Sequence, residues 1–132
     1  MRAEAVIYSL LTVAAGVTAL VGPRIYPQVI AQDQPYPAIM FHKISAIRMP
    51  HISASLGANL VEARIQVSAF AKSYPEVKTL AEEIRKALIY KSGTYAGVQV
   101  VAVLFDLEGP DQFDDSNRIY YQPLDFLITH YE

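Results

Sequence analysis

The sequence predicts an α+β fold: a mainly antiparallel four-stranded sheet with two principal helices packed on one face, in the order α-β-β-α-β-β. Three observations lead there. Val61, Ala63, Ile65, Val67 and Ala69 alternate with Glu62, Arg64, Gln66 and Ser68, the period of a strand with one dry face and one wet face. Directly behind it, Val77, Leu80, Ala81, Ile84, Ala87 and Leu88 recur at helical spacing. Val100-Val101-Ala102-Val103-Leu104-Phe105 is apolar on both phases, as in a strand that needs two covering layers. A chain of 132 residues fits one domain, 1–132, and carries no internal repeat or linker.

The elements follow in order. Ala3, Ile7, Leu10, Leu11 and Ala14 fall on one face of a helix ending near Gly16. The uncharged run Ala5–Gly22 approaches the length of a membrane span, but Tyr8, Ser9, Thr12, Gly16 and Thr18 dilute it, so a buried helix is expected and no membrane. Glu4 likewise stands where a secretory signal would carry positive charge. Residues 22–37 are turn-rich, through Gly22-Pro23, Tyr26-Pro27 and Pro35-Tyr36-Pro37. Ala38–Arg48 reads as a strand whose apolar phase changes around His42-Lys43, the mark of a bulge or of cover on both faces. Pro50–Gly57 reads as a loop.

After the alternating strand, Ser73-Tyr74-Pro75-Glu76 has the form of a capping box, and Glu82 and Lys86 form an i,i+4 pair on the helix exterior. Gly93 stops that helix. Gly97–Glu108 is the next strand and Gly109–Ser116 an acidic turn. Asn117–Tyr131 is the last strand, with Tyr120, Leu124, Phe126 and Ile128 in one phase and Pro123 pushing it towards an edge or a bulge.

Composition excludes several chemistries. Without cysteine there is no disulfide scaffold, thiolate metal site or cysteine nucleophile. A net charge of −2 gives no basic excess for sequence-independent nucleic-acid binding. The charge is uneven: residues 106–132 hold seven acids and one base, Arg118, whereas residues 1–105 hold ten bases and six acids. Such asymmetry can draw copies of the chain, or a charged partner, together.

No phosphate-binding glycine loop is present, and Ser53-Ala54-Ser55-Leu56-Gly57 lacks the first glycine of a nucleophile elbow. His42, His51 and His130 match no metal spacing. Asp111, Asp114 and Asp115 form a solvated hairpin tip, a cation site or a partner-docking surface; the EF-hand pattern is absent. Glu62 and Arg64, on a wet strand face, are either solvated or a polar contact across a subunit boundary. With Val101, Val103 and Phe105 of the doubly apolar strand they form the candidate subunit interface. Tyr90, Tyr95, Tyr120 and Tyr121 suit an interface or a core equally well. No catalytic, cofactor or metal residues are assigned, and no enzyme is expected.

Three stretches carry a resemblance: Pro35-Tyr36-Pro37-Ala38-Ile39, Arg64–Ala71 and Leu80–Leu88. With Arg24-Ile25-Tyr26-Pro27, Gly57 before Arg64–Val67, and Tyr121-Gln122-Pro123-Leu124-Asp125-Phe126, their order resembles the tail-completion, or tail-terminator, proteins of long-tailed bacteriophages and prophages. The resemblance covers nearly the whole chain. It implies an α+β subunit of a homo-oligomeric, typically hexameric, ring that caps the tail tube, ends tail polymerisation and meets the head-side connector or stopper. It further implies a virion location at the tail neck and host cytoplasm during assembly, with no catalytic motif and no cofactor. Other head–tail neck components share this size and composition. A small-ligand-binding α+β domain, with its pocket at the Pro-rich loop 31–37, is the competing reading from a different class.

Overall fold

The computed structural model describes residues 2–30, 35–49 and 60–131. In chain order they form α1 (Arg2–Val13), α2 (Ala15–Val21), β1 (Ile25–Pro27), β2 (Ala38–Met49), β3 (Leu60–Ala71), α3 (Tyr74–Leu88), β4 (Gly93–Tyr95), β5 (Val98–Glu108), β6 (Gln112–Asp114) and β7 (Ile119–Tyr131). The expected loop 50–57, with His51 and Ser53–Gly57, lies outside the described residues, as does 31–34 of the competing pocket.

The sheet corrects the expected architecture. It has seven strands in the order β1-β2-β3-β7-β5-β4, with β6 beside β7, and three helices instead of two. It is mixed, because β1 runs parallel to β2, Ile25 opposite Ile39. The four-stranded, mainly antiparallel sheet failed for a physical reason: β1, β4 and β6 are three residues each, too short to show any period. What holds them is tertiary contact. β1 is pinned by Arg24, whose Nε donates to Pro37 O at 2.9 Å while Nη2 reaches Leu20 O at the end of α2.

The first helix also differs. Gly16 does not end it; the chain breaks at Ala14, and α2 leaves α1 at 83°. Gly16 instead faces the Glu83 carboxylate of α3; a Cβ there would stand 2.1 Å from Oε2, so that flexible side chain would have to swing aside. Among the described residues no single helix is long and apolar enough to cross a membrane; α1 and α2 reach the length only as a bent pair.

α3 starts as its sequence dictates. Ser73 Oγ accepts from the Glu76 amide at 3.4 Å, and Pro75 occupies the first turn, where its missing N–H costs nothing. On its outer side Lys86 pairs with Glu83, not Glu82, which Arg85 takes instead. Its apolar face, Val77, Leu80, Ile84 and Leu88, closes on the sheet together with Ile7 and Leu11 of α1 and Val17 of α2. Beneath them lie Ile65 and Val67 of β3, Val103 of β5, and Leu124, Phe126 and Ile128 of β7, all fully buried. Each such side chain contributes roughly 1.5–3 kcal/mol by leaving water.

β7 is central, between β3 and β5, so Pro123 does not mark an edge. It sits where pairing with β5 has ended at Leu124 and pairing with β6 has not begun, at Tyr121. Gly109 N donates to Pro123 O at 2.8 Å across that gap, so the missing proline N–H faces a break in the ladder. The phase change in β2 is a bulge between Lys43 and Ser45.

Candidate functional site

Helices cover the inner face of the sheet. The outer face is where this chain leaves apolar surface unburied. Directly opposed residues in an antiparallel ladder share a face, so the register reads out its rows. One row runs Ser45, Arg64, Leu127, Leu104; the next runs Ile47, Glu62, Thr129, Ala102. A third runs His42, Gln66, Asp125, Leu107.

β5 bulges twice, between Val100 and Ala102 and between Phe105 and Leu107. The bulges shift its phase and leave Val101, Leu104 and Leu107 exposed at 45%, 46% and 53%. On β2, beyond β3 and β7 at the other flank of the sheet, Ile44 and Ile47 are 48% and 61% exposed.

A polar ladder crosses this apolar ground. Arg64 Nη1 contacts Asp106 Oδ2 at 2.5 Å and Asp125 Oδ2 at 3.2 Å, and Gln66 Nε2 donates to Asp125 Oδ1 at 3.2 Å. The pKa of the Arg64 guanidinium is raised above its ordinary value, chiefly by the hydrogen bond it donates to Asp106, so it stays charged. Such a face can bind another surface through apolar contact, with a fixed charge pattern to orient it.

The interface residues expected from sequence divide between two faces. Glu62 and Arg64 lie on the outer face, though Arg64 pairs with Asp106 and Asp125, not with Glu62. Val101 lies exposed at a bulge. Val103 points inward at 0% exposure, opposite Ile128, and Phe105 packs on Phe126 with centroids 5.3 Å apart. Both belong to the chain's own core because the first β5 bulge resets the alternation. The outer-face contributions of Leu104, Leu107, Ile44 and Ile47 went unread. Their signal was present in the two phase-broken apolar runs, but only the pairing shows which residue is extra.

The acidic segment is also divided. Asp111 accepts from Tyr74 Oη at 2.8 Å, Lys78 Nζ at 2.5 Å and Gln122 Nε2 at 2.9 Å, which ties the segment to α3 and β7. Its carboxyl is held below the usual range first by Lys78 and then by Tyr74. Asp114 closes the turn into β7 by accepting from Ser116 N at 3.0 Å and Asn117 Nδ2 at 2.9 Å, and the Asn117 bond lowers its pKa. Asp115 is exposed at the tip.

Among the described residues no group of three or more His, Asp and Glu side chains could hold a metal ion. His130 is buried, with Nδ1 3.1 Å from Tyr131 O. Of the tyrosines, Tyr95 and Tyr120 pack against the core, Tyr121 stacks on Phe70 at 5.0 Å, and Tyr90 is 77% exposed beside β5.

Comparison with curated proteins gave no match. Among solved structures, the chain is similar to one from the virion of a native gene transfer agent particle. The TM-score is 0.81 at 15% identity, covering 98% of this chain and 94% of that one. At that identity the likeness concerns the fold. The family model described as tail completion protein gp17 matches residues 5–127. The match over nearly the whole chain identifies a phage tail structural and assembly protein, and the chain belongs to the tail completion protein gp17 family.

Proposed function

We propose that the protein forms a ring, a hexamer by the resemblance read from its sequence, at the head-proximal end of the tail tube. There it ends tail polymerisation and joins the tail to the head-side connector. The observation that carries this reading is the outer sheet face: Ile44, Ile47, Val101, Leu104 and Leu107 stay exposed in a single copy whose other sheet face is covered. Apolar side chains left exposed along both flanks of one sheet face support an interaction role for that face. Two unlike edges favour a head-to-tail contact, which closes into a ring when its rotation closes. Glu62, Arg64 and Val101 belong to this subunit interface.

Asp115, held out by the turn that Asp114 and Asp111 build, is the contact to tube or connector. The protein acts in the virion, at the tail neck, after assembly in the host cytoplasm, and its role is structural, not enzymatic. Light scattering and negative-stain microscopy, with and without purified tail tubes, test the reading. Rings in solution or on tube ends are expected; a strict monomer that never binds tubes overturns it.

A further inference from the structure

We infer that copies of this chain join edge to edge, the outward edge of β2 in one subunit pairing antiparallel with the outward edge of β5 in the next, in the register that sets Ile47 beside Leu104 and Lys43 beside Glu108. The inference rests on the self-assembly reading above and names the surface that performs it.

Among the described residues both edges are open beyond short pairings: β1 pairs only with Ile39–Phe41 of β2, and β4 only with Val98–Val100 of β5. The Tyr90 amide, donating to Val103 O at 2.8 Å, covers one further position. This leaves the stretch from Lys43 to Met49 on one side and from Leu104 to Glu108 on the other, each presenting a row of backbone donors and acceptors. Natural proteins blunt such edges, because an open edge is a template for another strand. These two carry bulges and charges of that blunting kind, and beside them exposed Ile44 and Ile47 on β2 and exposed Leu104 and Leu107 on β5, apolar surface that a purely protective edge has no use for.

Direction permits the joint. β2, β3, β7 and β5 are antiparallel at each step, so β2 and β5 run opposite ways. A rotation about an axis along the strands then brings one against the other antiparallel, with no subunit inverted.

Charge selects the partner. Residues 43–49 contain no acid and residues 104–108 no base; Asp106 is already held by Arg64, so the selection falls to Lys43 on one edge and Glu108 on the other. Pairing β2 with β2, or β5 with β5, sets like charges together, which destabilises a ladder. Only the unlike pairing is matched, and a contact between unlike surfaces is the kind that builds rings.

Register follows from the bulges. Between Lys43 and Ile47 β2 carries its extra residue, and between Leu104 and Glu108 β5 carries one of its own. The two strands therefore keep step across this interval. Faces agree as well: Ile47 and Leu104 share the outer face through Glu62 and Leu127, whereas Lys43 and Glu108 lie on the inner face, opposite Ile65 and Leu124. The outer apolar surfaces of neighbouring copies become continuous.

The chain has no cysteine, so an engineered pair reports cleanly. The variant carrying both Ile47→Cys and Leu104→Cys, oxidised with tail tubes present and absent, is expected to give a disulfide ladder of successive oligomers, while neither single variant does. Lys43→Glu is expected to weaken association, and Glu108→Lys in the same chain to restore it. Oligomers that form without the ladder and without charge rescue overturn the edge pairing and leave the ring standing. No oligomer under any condition, tubes included, overturns both.

Discussion

Arg64 Nη1 lies 2.5 Å from Asp106 Oδ2, although the strands that carry them, β3 and β5, are separated by β7. The guanidinium spans the intervening strand and binds Asp125 on the way. It is the cation that lets two carboxylates share one strip of sheet. Arg64→Ala should therefore lower the melting temperature by leaving Asp106 and Asp125 to repel each other. Added salt should recover part of the loss, because screening weakens that repulsion. Thermal unfolding at low and high ionic strength measures both; an unchanged midpoint at low salt contradicts the account.

Val103 and Leu104 are neighbours on opposite faces of β5. Val103→Asp buries an unpartnered charge and should cost more than about 4 kcal/mol, enough to unfold many domains. Leu104→Asp should keep a cooperative melt near the parent's and lose ring assembly. Circular dichroism and light scattering on the pair separate core from surface.

Gly109 and Gly97 give a second contrast. A Cβ on Gly109 would meet Pro123 Cγ at 2.6 Å and its carbonyl at 2.9 Å, so Gly109→Ala should cost about 1–3 kcal/mol by forcing β7 aside. At Gly97 nothing stands within 4 Å, and only the φ of +76° opposes a side chain. Gly97→Ala should cost roughly 1–2 kcal/mol. Denaturant midpoints measure each.

The link from Asp111 to Lys78 and Tyr74 sets a pH dependence. Asp111 is depressed below 3.8 in the folded protein, so its contribution is present above that ordinary value and fades as pH falls through the lower folded one. Lys78 is raised above 10.5; its contribution is present below that value and fades as pH climbs through the folded one. Asp111→Asn should flatten the acid limb of a stability profile. If that limb is unchanged, the contact adds nothing to folding.

Asp115→Ala should leave the melt untouched and reduce tube-to-head joining, measured by counting joined particles. Asp114→Ala should lower the melting temperature, because it removes the acceptor that closes the turn. Unimpaired joining by the Asp115 variant returns that residue to simple solvation.

Long periodic elements were legible in the residues. Val61–Ala69 alternates because β3 has one face on the core, and Val77–Leu88 repeats helically because α3 lies on that core. The bulge near Lys43 showed as a broken phase. β1, β4 and β6 could not be read, since three residues define no period and their order in the sheet depends on contacts distant in sequence. The same limit hid the inward turn of Val103 and the partners of Arg64. Asp106 and Asp125 stand 42 and 61 residues from it.

The position of β7 has a kinetic consequence. Until it docks, β3 and β5 are separate ribbons with no shared ladder, and the pairs that unite them, such as Leu60 with Tyr131, close very long loops. Folding should thus wait on one late insertion, slower than helix formation by orders of magnitude. During that delay the sticky borders of half-made molecules lie open to one another, which makes concentration and temperature during expression the conditions that decide between particle parts and aggregate.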